Sequence, residues 1–116
     1  MSKKSNTNYG GSGCRDAVWN KAITIPGKNP DVVRYDAKLN EIRYNSYGKD
    51  TKYGWNIDHT LAKNHGGGNE LNNLQPLQSS MNKSYGDSLH KPNIESYRGL
   101  SNNEIHQIAQ KWNNKK

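Results

Sequence analysis

The sequence predicts a small single domain of the α+β class, and three observations predict it. Two strand-like segments, Val32–Tyr35 and Glu41–Tyr44, are separated by the short turn Asp36–Asn40, which is the layout of a β-hairpin. A strand pattern, a glycine-rich loop, a second strand pattern and a short helical stretch then follow one another over residues 53–87. Finally, an amphipathic helical pattern with its own start signal closes the chain.

Taken in order, residues 1–14 are polar, contain Gly10-Gly11-Ser12-Gly13, and read as a flexible tail before a domain spanning 15–116. Cys14 falls in that tail and reads as a free thiol in a flexible stretch. Asp16–Ala22 forms a short helix anchored by Trp19, and Ile25–Pro30 is a turn segment. After the hairpin, Trp55–Asp58 alternates large apolar with polar residues, as a strand does. Leu74–Leu77 returns as a short strand carrying Pro76, and the stretch from Gln78 to Tyr85, free of Pro and Gly, suits a helix. Ser101-Asn102-Asn103-Glu104 has the form of a capping box, in which two side chains satisfy backbone N–H groups at a helix start. Ile105, Ile108, Ala109 and Trp112 then recur at helical spacing and define one apolar face. The repeated asparagines (72–73, 102–103, 113–114) read as a compositional bias.

Composition limits both core and partners. Only 30% of the 116 residues are hydrophobic and none is Phe, so the core is small and leans on Trp19, Trp55, Trp112 and the seven tyrosines. One cysteine excludes an intramolecular disulfide and a multi-cysteine zinc site. Seventeen Lys and Arg against ten acidic residues give a net charge of +7, which favours phosphate-rich partners through steering and counterion release. No run approaches the roughly 20 apolar residues of a membrane span, and no apolar stretch follows Lys3-Lys4 as a secretory signal would require. The expectation is a protein that is neither secreted nor membrane-spanning. It would work in the cytoplasm in association with nucleic acid, or packaged in a viral particle.

The chemistry concentrates in residues 53–87. Asp58-His59 ends the run Tyr53–Ile57, Gly66-Gly67-Gly68 follows, then Asn73-Leu74-Gln75-Pro76-Leu77, then Asn82. Hydrolysis of a phosphodiester needs a deprotonated water, a neutralised phosphate and a stabilised leaving oxygen. Histidine is the natural base near neutral pH. A hard divalent cation such as Mg²⁺ prefers oxygen ligands, takes one or two from the protein, and keeps its other positions for water and phosphate. Asp58 and Asn82 offer one charged and one neutral oxygen. Because neighbouring strand residues point to opposite faces, the strand is expected to end at Asp58-His59, with the chain turning over Thr60–Glu70. Asn73 opens the returning strand, where its amide can pin the loop and orient His59.

This block resembles the HNH endonuclease family, whose fold is the ββα-metal (His-Me) finger. The family's Asp-His pair matches Asp58-His59, its Gly-Gly falls within Gly66–Gly68, its Asn-Leu-x-x-Leu matches Asn73–Leu77, and its late Asn matches Asn82. Asn73 lies fourteen residues after His59, and Asn82 nine after Asn73. The segment from Val18 to Tyr53 is similar to the region upstream of the motif in small phage and viral members, so the resemblance covers about 70 of the 116 residues. It implies that His59 is the general base, Asp58 and Asn82 the ligands of one Mg²⁺ (Mn²⁺ substituting), and Asn73 the loop-orienting residue. It also implies cleavage of DNA to 5′-phosphate and 3′-hydroxyl ends. The sequence departs from the family in three places. Gln78 and Met81 stand where many members carry a zinc-binding CxxC, so structural zinc is not expected. Ala62 replaces a common Pro, and Tyr85 a common Lys, for which Lys83 offers a substitute.

Candidate nucleic-acid contacts are Arg34 and Arg43, read as a basic stripe on adjacent strands, together with Lys63, His65 and Lys83 around the motif. His90 and His106 read as surface residues. A single site per chain means that double-strand cleavage takes a homodimer or two successive nicks. The competing reading is a non-catalytic, basic nucleic-acid-binding or particle-associated protein that keeps the ββα unit as a scaffold.

Overall fold

The computed structural model describes residues 12–85 and 92–113 and is a small α+β domain with two antiparallel sheets and a C-terminal helix. Helix α1 (Ser12–Trp19) leads into β1 (Ile23–Thr24), β2 (Val33–Tyr35) and β3 (Glu41–Arg43), which form one sheet in that order. Strands β4 (Trp55–His59) and β5 (Leu74–Gln78) form the second sheet. Helix α2 (Ser79–Tyr85) follows β5 directly, and α3 (Asn102–Asn113) ends the described chain. Among the described residues, no helix is long and apolar enough to cross a membrane.

The β2–β3 hairpin is held by its turn. Asp36 Oδ1 accepts from the backbone N–H of Lys38 and of Asn40, at 2.9 and 2.8 Å, and Leu39 takes the left-handed conformation with φ 64°. Leu39 remains there because its side chain is buried with Ile25, Val33 and Tyr35 beneath α3. The other oxygen of Asp36 accepts from the N–H of Gln78 at 2.7 Å, so one carboxylate ties the hairpin to the end of β5.

The principal core lies between α1 and one face of the second sheet: Cys14, Val18, Trp19, Ala22, Ile42, Trp55, Ile57 and Leu74. Trp19 packs against Trp55 at 5.4 Å and edge-on to Tyr44 at 5.5 Å, while Tyr47 meets Trp55 at 4.9 Å. Each large apolar side chain so buried contributes about 1.5–3 kcal/mol, which is how a chain poor in aliphatic residues holds a core. Lys21 clasps α1 to the second sheet, its Nζ donating to the carbonyls of Leu71 (2.8 Å) and Leu74. Burial lowers the pKa of that ammonium, with Glu95 acting in the opposite sense.

Several expectations need correction. Helix α1 begins at Ser12, ahead of the expected Asp16, and Cys14, a free thiol as expected, lies on that helix fully buried in the core and not in a tail; residues 1–11 lie outside the described residues. Strand β1 adds an edge beside the hairpin that the sequence did not predict. On α3, Ile105 and Ala109 are buried and Ile108 half-buried, but Trp112 is 40% exposed with the Lys38 ammonium 4.5 Å above its ring. The apolar stripe outlasts the sheet it packs on. His106 is not a loose surface residue: its Nδ1 meets the Tyr35 hydroxyl at 2.8 Å, docking α3 on β2. The capping box forms with both bonds, Ser101 N–H to Glu104 at 2.8 Å and Glu104 N–H to Ser101 Oγ at 3.1 Å. Those bonds to Ser101 hold the Glu104 carboxyl below its ordinary pKa.

Candidate active site

The site is built on the β4–β5 ladder, whose register pairs Trp55 with Gln78, Asn56 with Leu77, Ile57 with Pro76, Asp58 with Gln75 and His59 with Leu74. Side chains directly opposite share a face. Trp55, Ile57 and Leu74 therefore face the α1 core, while Asn56, Asp58, Gln75 and Leu77 face the opposite way. There Leu77 packs with Ala37 and Ile94, and Met81 of α2 closes over them. Both faces of this two-stranded sheet are covered. As expected, the strand ends at the Asp-His pair and the chain turns at Thr60; the ladder runs through both residues, so Asp58 and His59 project to opposite faces.

Asp58 is nearly fully buried, and the reason it tolerates burial is the residue opposite. Gln75, itself inaccessible, donates from Nε2 to Asp58 Oδ2 at 3.0 Å and to the Pro92 carbonyl at 2.8 Å, and its Oε1 accepts from the Ile94 N–H at 2.9 Å. A neutral amide thus holds the Asp58 carboxyl group in place. On the same sheet face, Asn56 Nδ2 donates to Ser79 Oγ at 3.1 Å, and Ser79 in turn donates to the Lys49 carbonyl at 2.8 Å. These bonds seat the first turn of α2 beside Asn56. Asn82, half-buried, is one turn beyond Ser79 on the same side of the helix.

Between the strands, the connecting loop is fixed by Asn73. Its Oδ1 accepts from Thr60 Oγ1 (2.6 Å) and from the Leu61 N–H (2.9 Å), and its Nδ2 donates to the carbonyls of Leu61 (3.0 Å) and Gly68 (2.8 Å). The Asn73 carbonyl also accepts from the Thr60 N–H at 2.9 Å, adding a rung beyond the ladder. Two of the three glycines have separate duties. Gly66 takes φ +97° to end the 3-10 turn Lys63–His65, whereas Gly67 lies so close to the neighbouring backbone that a Cβ there would sit 1.7 Å from the Leu61 oxygen. The loop delivers one further contact: Asn69 Oδ1 lies 2.8 Å from His59 Nε2.

As a donor set, Asp58 and the amide oxygen of Asn82 are hard ligands of the number a Mg²⁺-like ion takes from protein. The nucleic-acid candidates divide. Lys63 and His65 are exposed in the loop after His59, and Lys83 is exposed on α2 with its Nζ 2.5 Å from Asp50. Arg34 and Arg43 do not form a stripe: Arg43 stands opposite Val33 and Arg34 opposite Ile42, so the two point to opposite faces. Arg43 is exposed over Tyr53 at 4.4 Å, while Arg34 stacks on Trp19 at 5.4 Å and donates to the carbonyls of Pro30 and Trp19. Arg34 is consumed by the fold. His90 lies outside the described residues.

Sequence reasoning missed Gln75 and Asn69. Gln75 could have been found by counting the antiparallel register back from the loop; Asn69 is hidden among many asparagines. None of the protein families, curated proteins or solved structures with which the chain was compared matches it.

Proposed function

We propose that this domain is a metal-dependent endonuclease that hydrolyses phosphodiester bonds in DNA, nicking one strand per site. The observation that carries the reading is the Asn73 amide, bonded to both arms of the loop between His59 and β5. That loop holds an imidazole at the lip of a two-stranded sheet whose other face buries the Asp58 carboxyl against Gln75, and the short helix that follows the sheet bears Asn82. His59 takes the proton of the attacking water, and Asp58 and Asn82 would hold one Mg²⁺ or Mn²⁺ ion. When bound, such an ion neutralises phosphate charge and stabilises the leaving oxygen. Gln75 keeps Asp58 in place; Lys63, His65 and Lys83, with the overall positive charge, supply contacts to the phosphate backbone.

The test is supercoiled plasmid incubated with Mg²⁺, Mn²⁺ or EDTA, followed by end mapping. Expected are metal-dependent nicks with 5′-phosphate and 3′-hydroxyl ends, abolished in His59→Ala while DNA binding persists. Salt-sensitive DNA binding with no nick under any metal would replace this reading with that of a non-catalytic, particle-associated binder. Full cleavage by His59→Ala in single-turnover conditions would remove His59 as the base.

A further inference from the structure

We infer that Asn69 is a positioning residue for His59, selecting the tautomer in which the imidazole keeps its lone pair on Nδ1. The inference rests on the reading of His59 as the base. A neutral imidazole carries one proton, and the hydrogen bond made by one ring nitrogen decides where it resides. Asn69 Oδ1 is 2.8 Å from His59 Nε2. A carbonyl oxygen can only accept, so this contact places the proton on Nε2 and leaves Nδ1 as the basic atom.

The position of that oxygen is fixed by the same construction that pins the loop. Asn69 sits between Gly68, whose carbonyl accepts from Asn73 Nδ2 at 2.8 Å, and Glu70, whose carbonyl accepts from the Asn73 N–H at 2.8 Å. One residue earlier, the Gly67 N–H donates to the Ala62 carbonyl at 3.0 Å, a bond that requires the close backbone approach only glycine permits there. Asn69 is thus clamped on both sides in the chain, and both it and His59 are half-buried, where competing water is restricted. The rigid loop aims one acceptor at one ring nitrogen.

Outer partners of this kind typically change activity by roughly 10- to 100-fold when removed. The decisive measurement is a two-bond ¹H–¹⁵N correlation spectrum of the His59 ring, taken without metal at a pH where the imidazole is neutral. The full chain should show a protonated Nε2 and an unprotonated Nδ1. Asn69→Ala should mix the two tautomers, and Asn69→Asp, which retains an acceptor, should restore the single form. In plasmid nicking, Asn69→Ala should lower kcat roughly 10-fold or more with KM for DNA unchanged, and Asn69→Asp should recover most of it. A protonated Nδ1 in the unmodified chain, or an Asn69→Ala spectrum identical to it, overturns the inference. If no variant nicks DNA, the catalytic reading fails while the spectrum still decides what Asn69 does to the ring.

Discussion

Replacing Asn73 by Ala removes a side chain that closes the loop from both sides. Four hydrogen bonds disappear, two to the amide oxygen and two from the amide nitrogen, at 2.6–3.0 Å. Leu61 is exposed and Gly68 half-buried, so the abandoned backbone groups reach water and do not incur the full penalty of burial. At about 0.5–1.5 kcal/mol net for each bond, discounted because the four act as one unit, the expected loss is about 2–4 kcal/mol. For a domain of this size each kcal/mol lowers Tm by roughly 4–8 °C, and total stability is on the order of 5–15 kcal/mol. Calorimetry or urea denaturation measures the loss, and hydrogen exchange at the Leu61 N–H localises it, since that amide donates directly to Asn73. Asn73→Asp should be no rescue: its second oxygen would face the carbonyls of Leu61 and Gly68, acceptor against acceptor. A loss below about 0.5 kcal/mol, within the range of an ordinary surface substitution, with unchanged Leu61 exchange, would refute the view that this amide holds the loop.

Two other outcomes follow from single positions. Gly67→Ala should destabilise the domain and abolish nicking, because its Cβ would lie 1.7 Å from the Leu61 oxygen, which is backbone and cannot step aside; a variant with wild-type Tm and nicking rate would refute it. Asp36 should make stability fall as pH rises, because burial, outweighing its backbone hydrogen bonds, pushes its carboxyl from 3.8 up to about 6. The folded state then binds the proton more tightly than the unfolded chain. The resulting stabilisation is complete below the unfolded value and is lost as pH climbs through about 6, a change of about 3 kcal/mol. Thermal melts from pH 4 to 7 should show this slope in the unmodified chain and not in Asp36→Asn; parallel curves would contradict it.

The hairpin, both sheets' longer strands and the capped final helix were legible because local patterns and tertiary packing agree there. Alternation in Trp55–Asp58 matches a strand with two covered faces, and Ser101 and Glu104 satisfy each other without help from elsewhere. Legibility failed where a residue's role is set by partners far along the chain. Cys14 looks like tail until Val18, Trp55 and Leu74 are assembled around it. Trp112 fits an apolar helical stripe, yet periodicity carries no information about where the underlying sheet ends. Arg34 looks like a free cation because nothing in its strand reveals that the ring and carbonyl of Trp19, on the preceding helix, will fold beneath its guanidinium. At the site, residue types and spacing suggested Asp58, His59, Asn73 and Asn82. Gln75 was legible only through the register that sets it opposite Asp58, and Asn69 was invisible, since a neutral amide gains meaning only from the atom it is aimed at.

A two-stranded sheet has an outer edge on each side, and an unpaired edge invites a strand from another molecule. The outer edge of β5 offers no such invitation. The Leu74 N–H donates to the Leu71 carbonyl, the Leu74 carbonyl accepts from Lys21, the Pro76 carbonyl accepts from the Ala37 N–H at 3.3 Å, and the Gln78 N–H donates to Asp36 at 2.7 Å. The remaining position is Pro76 itself, which has no N–H to offer. Every outward backbone group from Leu74 to the Gln78 N–H is therefore occupied or chemically absent. The consequence is protection from edge-to-edge aggregation, supplied by a lysine, an aspartate and a proline in a chain too poor in apolar residues to bury that edge under a core.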